Sequence, residues 1–392
     1  MKVIVLLSLL SAFLVCQTSG AKKNVVCYFA SWTVYRAGNG AFDVSNIDPS
    51  LCTHINFAFL GLNLDGSIHI LDSWESSDPG GHEGFKRLVG LKETNPDLKV
   101  SVSMGGWNEG SEHYSAVASD PAKRVKLADE VLAFIENWGF DGFDLDWEYP
   151  GLRGGNKTID KEDFVELLKV LSDVLQPKGY LLSVATAGAV EKIDLGYDVP
   201  VINELVDMLN VMVFDFHGAF ENFVGHVSPL FPAQIDYEYE ANSTYNVDAG
   251  IQHWILSGAD PAKINLGIVT YGRTYTLADK TNTSLYADVI GGGNKGPYTG
   301  QSGYLGYNEI CEFHLNSTYV WDDQQKVPHR YWDDQWVGFE DERSITEKVN
   351  YARDNELGGV MVWSLDYDDF RGTCGEKYIL LKTINKIHDP QF

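Results

Sequence analysis

Asp141-Gly-Phe-Asp-Leu-Asp-Trp-Glu-Tyr-Pro150 sets acids and large apolar residues in alternation. Asp144, Asp146 and Glu148 fall at i, i+2 and i+4, so an extended strand puts their side chains on one face and Phe143, Leu145 and Trp147 on the other. Three large apolar side chains require a covered face. Three carboxylates on the opposite, inward face are costly unless they share protons or meet cations. Packing alone gives no reason for that cost. Like charges so close raise at least one pKa, which keeps a carboxylic acid protonated near neutral pH and able to donate. Glu148, with the longest arm and at the strand's C-terminal end, reaches farthest. An outward acidic strip or a calcium site would leave the apolar face unexplained.

Working outward, seven more short apolar runs read as strands: Val25–Phe29, His54–Phe59, Lys99–Met104, Leu181–Ala185, Met208–Asp215, Ile264–Val269 and Gly359–Trp363, with Gly142–Asp146 fourth in order. Between several of them lie helical patterns, Pro121–Trp138, Lys161–Leu175 and Ser344–Glu356, with apolar residues at three- and four-residue spacing. Continuous apolar strands alternating with amphipathic helices imply a parallel sheet covered by helices. Eight such units predict an α/β fold, a closed (β/α)8 TIM barrel. The competing doubly wound sheet usually has fewer strands and a phosphate loop after one of them. Gly291–Gly296 is glycine-rich, but no strand leads into it and no Lys-Ser/Thr follows, so no nucleotide cofactor is implied. The interval from Tyr271 to Gly359 is far longer than one helix needs. A small α+β insertion is expected there, at about residues 274–340, on the face where barrels build their active sites.

The chain has 392 residues and a formal charge of −25, which disfavours nucleic acid and anionic membrane as partners. The apolar run Val3–Val15 is too short to span a bilayer and reads as a signal peptide at 1–20, so the mature protein is expected to be secreted. Cys16 leaves with it. Cys27, Cys52, Cys311 and Cys374 remain, and four cysteines allow three pairings; neighbouring strands favour Cys27–Cys52, leaving Cys311–Cys374. No CxxC pair or His/Cys cluster marks a metal site. Sequons stand at Asn156, Asn242, Asn282 and Asn316, candidates for glycosylation.

The decapeptide closely resembles the signature of family 18 glycoside hydrolases, the chitinases and chitinase-like proteins, and is most similar to the secreted chitinases of animals, insects above all. The likeness covers essentially the whole mature chain. Tyr28-Phe-Ala-Ser-Trp32, Ser103-Met-Gly-Gly-Trp107, Met212-Val-Phe-Asp215, Tyr271-Gly-Arg273 and Gly359-Val-Met-Val-Trp363-Ser-Leu-Asp366 resemble the family's other strand-end motifs in the same order. The family's disulfide pattern agrees with the pairing favoured above. The resemblance implies a retaining, substrate-assisted hydrolysis of β-1,4-linked N-acetylglucosamine chains, an exception to the two-carboxylate scheme. Glu148 would protonate the glycosidic oxygen, Asp146 would orient the 2-acetamido group, and Asp144 would hold Asp146. Trp363 would form the floor beneath the reacting sugar. Gly105, Gly106, Trp107, Asn108, Tyr28, Trp32, Phe59, Tyr149, Tyr271 and Phe220 would line neighbouring positions, with Met212 and Phe214 at the acetamide pocket and Asp215 and Arg273 bonding polar sugar groups. Trp74 and Glu75, after the second strand, would add a further subsite. With 20 Tyr and 10 Trp, many aromatics must nonetheless be core.

Two departures stand out. The family's MxYD tyrosine is Phe214, and its Trp after His-Gly is Phe220. Losing one hydroxyl contact costs about 1–3 kcal/mol, roughly a ten- to hundred-fold slower step. No cysteine follows Cys374, so no chitin-binding module is expected. The expected ligand is chitin or its oligosaccharides, and the expected state is a monomer. A chitin-binding lectin or growth-factor-like relative is the alternative that Phe214 favours and the intact Glu148 disfavours. A hydrolase of N-glycan chitobiose cores would use the same chemistry on a more compact substrate.

Overall fold

The computed structural model describes residues 23–76, 80–239 and 242–388. The leader expected at 1–20 lies outside the described residues. Eight parallel strands, Asn24–Ala30, His54–Leu62, Lys99–Gly105, Gly142–Asp146, Leu181–Ala187, Met208–Met212, Ile264–Val269 and Gly359–Trp363, each pair with the next. The last returns to the first, Gly359 opposite Asn24 and Val362 opposite Cys27, which closes the (β/α)8 barrel. The strand expected to run to Asp215 stops at Met212. The Val213 amide turns back to the Val211 carbonyl, and Asp215 takes a left-handed backbone with φ 54°, so pairing cannot continue.

Alternation along each strand sorts the side chains into two cores. Cys27, Phe29, Ile55, Phe57, Phe143, Leu145, Leu182 and Val184 face the helices, while Val26, Tyr28, Ala58, Met208 and Met361 fill the barrel interior. The helix Pro121–Trp138 presents Leu127, Ala128, Val131 and Ile135 to the outer core. Asp120 caps its start by accepting from the Ala122 and Lys123 amides, and Gly139 ends it at φ 78°. The helix expected from Ser344 begins at Glu342, because Asp341 caps it through the Ser344 amide.

Between the seventh and eighth barrel strands sits a six-stranded antiparallel sheet with the short helix Tyr307–Phe313. Its longest strand, Tyr271–Leu277, follows the seventh barrel strand almost directly and pairs with Val289–Gly292, Tyr304–Gly306 and Gln335–Gly338. Tyr275, Leu277 and Trp336 form its core with Val224. Disulfides join Cys27 to Cys52 and Cys311 to Cys374; the second ties the lobe's helix to the segment after the last barrel strand.

Candidate active site

The fourth strand rises through the barrel interior and carries Asp144 and Asp146; Glu148 stands just beyond its end. Asp144 is fully buried and accepts four hydrogen bonds, from Tyr28 Oη at 2.7 Å, Ser103 Oγ at 2.7 Å, Ser183 Oγ at 2.6 Å and Asn210 Nδ2 at 3.2 Å. Ser103 and Ser183 stand level with Asp144 on the two flanking strands. Asn210 accepts in turn from Asn265 at 2.9 Å, and Asn265 accepts from Asn24 at 3.2 Å, so a polar chain crosses the barrel floor. Burial pushes the Asp144 carboxyl upward while these donors pull it back.

Above it, Asp146 is buried with no partner at Oδ1. Burial foremost, then the charges of Glu148 and Asp144, push its carboxyl well above the usual carboxylate range. Glu148 is pushed up to about 7, chiefly by burial; a hydrogen bond from Tyr149 and the Arg153 and Lys192 charges oppose the shift, and Asp215 adds to it. Three acids this close cannot all ionise, so the cluster holds protons near neutral pH.

Asp215 faces this cluster from the end of the sixth strand. Arg273 grips it through Nε and Nη2, each at 2.7 Å, and Tyr271 Oη donates at 2.7 Å. The guanidinium also lies 3.9 Å over the Tyr304 ring. Trp363 stacks on Phe59 at 5.6 Å and 17°, and Trp32 stacks on the same ring at 6.0 Å and 21°, so three aromatics make one continuous surface at the mouth. Gly105 and Gly106 have φ of 124° and 86°; a Cβ on Gly105 would stand 2.0 Å from the Asp146 carbonyl oxygen and one on Gly106 2.5 Å from the Phe59 ring. Trp107 and Asn108, next in the chain, are exposed. Met212 and Phe214 are half-buried beside Trp363, and the Phe214 ring packs against Gly267.

Not every expected residue reaches the groove surface. Tyr28 is buried beneath Trp363, its hydroxyl taken by Asp144. Glu75 turns away from Trp74, which is 54% exposed, and buries its carboxyl against Gly84 at the start of the helix Gly84–Gly90. Tyr149 is buried with its hydroxyl on Glu148. Asn156, Asn282 and Asn316 are exposed; the side chain of Asn242 lies outside the described residues. Ser183, Asn210, Asn265 and Arg153 were not foreseen. Alternation puts the first three on the inward face, but only register shows which of them meets Asp144.

Among the described residues one trio has metal-ligand proximity, Cys311, Asp369 and Cys374, and its two sulfurs are joined to each other. No helix there is long and apolar enough to cross a membrane. A glutamate able to hold a proton over two inward aspartates, with stacked aromatics at the C-terminal mouth of a parallel barrel, marks an enzyme site suited to acid–base chemistry on a ligand with flat apolar faces. The chain belongs to the glycosyl hydrolases family 18, which its residues 24–368 match. It is 38% identical to probable chitinase 2 of Drosophila melanogaster, over 93% of this chain and 80% of that protein. Ostrinia furnacalis Group IV chitinase, solved in complex with allosamidin, is 41% identical with a TM-score of 0.90, covering 93% of this chain and 98% of that one. Human YKL-39, described as a pseudo-chitinase with retained chitooligosaccharide binding, is 32% identical with a TM-score of 0.86, over 93% and 99% of the two chains.

Proposed function

We propose that the protein is a chitinase that hydrolyses β-1,4 linkages of N-acetylglucosamine polymers with retention, the substrate's own acetamide acting as nucleophile. The observation that carries this reading is the buried Glu148 just beyond the strand that carries Asp144 and Asp146, where burial pushes its carboxyl up to about 7. Glu148 gives its proton to the glycosidic oxygen as that bond breaks. The 2-acetamido oxygen closes on the anomeric carbon to give an oxazolinium ion, and Asp146 accepts the acetamide N–H and offsets the developing positive charge. Asp144, held by four donors, fixes the position of Asp146 from below. Water then opens the oxazolinium from the face the leaving sugar occupied, and Glu148 takes the water's proton, which restores the acid. Trp363 supports the reacting sugar, with Phe59 and Trp32 continuing the surface for further sugars. Asp215, fixed by Arg273 and Tyr271, holds the polar edge of the pocket. Two disulfides fit a protein that works in an oxidising, extracellular compartment.

Release of a fluorophore from chitobiose and chitotriose glycosides, with the anomer of the first product read by proton NMR, tests the reading. Wild type should turn over with β product, and Glu148→Gln should lose at least about a thousand-fold in kcat. The second reading, a chitooligosaccharide-binding protein without turnover, is favoured by Phe214 in place of a tyrosine. Equal, near-zero rates for both proteins with tight oligomer binding would establish it instead.

A further inference from the structure

Trp107 leaves the end of the third strand with 58% of its surface exposed, an unusual state for an indole at the edge of a site. Arg153 covers one face of it: the guanidinium carbon lies 3.5 Å from the ring centroid. Arg153 is itself pinned. Its Nη1 donates to the Glu148 carbonyl at 3.2 Å, its own carbonyl accepts from the Ser111 amide at 3.2 Å, and its backbone sits at φ 50°. Ser111 Oγ donates to the Tyr149 carbonyl at 3.0 Å and accepts from Trp147 Nε1 at 2.9 Å. The loops after the third and fourth strands are thus stitched together around the proton donor, with one cation as the outermost stitch.

We propose that Arg153 is a positioning residue with two separable effects: its plane clamps Trp107 as a fixed wall of the groove, and its charge stands guard over the acid–base cycle of Glu148. This rests on the reading of the chain as a chitin hydrolase. An exposed indole without a clamp samples several rotamers, and a sugar stacking on it must first select one, which weakens binding. A guanidinium suits the task because it is planar and weakly hydrated, whereas a lysine ammonium is a compact point charge that cannot lie flat on the ring. The groups facing Glu148 are Asp146 and Tyr149 on its own segment, Lys192 from the helix Val190–Gly196 and Tyr197 just after it, Asp215 from the end of the sixth strand, Tyr304 from the lobe, and Arg153. Arg153 and Lys192 are the cations in that set. Removing Arg153 leaves burial and the Asp215 charge less opposed, so Glu148 should keep its proton to higher pH.

The test pairs binding with kinetics. Chitohexaose affinity is measured by calorimetry in a Glu148→Gln background, and kcat/KM against pH is measured with Glu148 intact, for Arg153→Ala, Arg153→Lys, Trp107→Ala and the double variant Trp107→Ala with Arg153→Ala. Arg153→Ala should weaken binding about five-fold, and Arg153→Lys should recover only part of that loss. The double variant should bind no more weakly than Trp107→Ala alone. The alkaline limb of the kcat/KM profile should move upward in Arg153→Ala and stay in place in Arg153→Lys. Additive losses in the double variant, or full recovery of affinity by lysine, would overturn the clamp. An unmoved limb in Arg153→Ala would overturn the charge effect. A wild type that binds chitohexaose but cleaves nothing would sink the hydrolase reading, and the binding comparisons would still decide the clamp.

Discussion

At the scale of single residues, Glu148 concentrates the chemistry. A carboxyl whose pKa rises from 4.5 to about 7 on folding gives stability that is complete below pH 4.5 and is lost as pH climbs through 7, because the unfolded chain ionises first. The loss is on the order of 3 kcal/mol. Glu148→Gln carries no such proton, so its melting temperature should exceed wild type at pH 8 and the gap should narrow toward pH 5; an equal gap at both would refute the burial argument. Hydrolysis should decline above about pH 7 as the donor ionises. Phe214 is the second decisive residue. Like Met212 and Trp363, it packs against the barrel-interior cluster of Val26, Tyr28, Ala58, Met208 and Met361, and under the proposed function it borders the acetamide. Phe214→Tyr should raise kcat by about ten-fold through one added hydrogen bond in the transition state. A fall would mean that the pocket has closed around phenylalanine. The acids themselves were legible from their two-residue spacing. The donors that hold Asp144 were not, because Ser183 and Asn210 look like any serine and asparagine until register sets them level with it.

At the scale of elements, strand ends do the positioning. The third strand ends in Gly105-Gly106, whose left-handed backbone lets the chain bend under the Asp146 carbonyl and past the Phe59 ring, with the Gly106 amide donating to that carbonyl at 2.9 Å. Gly105→Ala adds both a strained φ and a clash with backbone. It should lower stability by about 2–3 kcal/mol and depress kcat by displacing Asp146, read by urea denaturation alongside the fluorogenic assay. Periodicity located these strands well where apolar residues run unbroken. It overran at the sixth, where Val213 continues the apolar pattern although the backbone has already turned. Loops defied sequence reading more strongly. Trp74 and Glu75 are adjacent, yet one is exposed and the other buried against Gly84, a choice made by the helix that follows rather than by either residue.

At the scale of the molecule, one catalytic barrel carries a lobe between its seventh and eighth strands, and the disulfide Cys311–Cys374 spans 63 residues to hold the two together. Replacing both cysteines by alanine should cost about 3–4 kcal/mol by releasing loop entropy in the unfolded chain. Because Arg273, which grips Asp215 beside the catalytic acids, comes from the lobe's first strand, KM for chitin oligosaccharides should rise in that variant; an unchanged KM would show that the lobe does not support the site. The alternation of strands and helices and the shared face of Asp144, Asp146 and Glu148 were determined by the sequence alone, since periods of two and of three to four residues are local consequences of backbone geometry, and the family was legible in the motif Asp141–Pro150. The network beneath Asp144, the burial that raises Glu148, the seating of Arg153 on Trp107 and the withdrawal of Glu75 were decided only by tertiary structure. Each depends on which distant segments become neighbours when the sheet closes, and hydrogen-bond partners and desolvation are properties of those neighbours, not of the residue that titrates or binds.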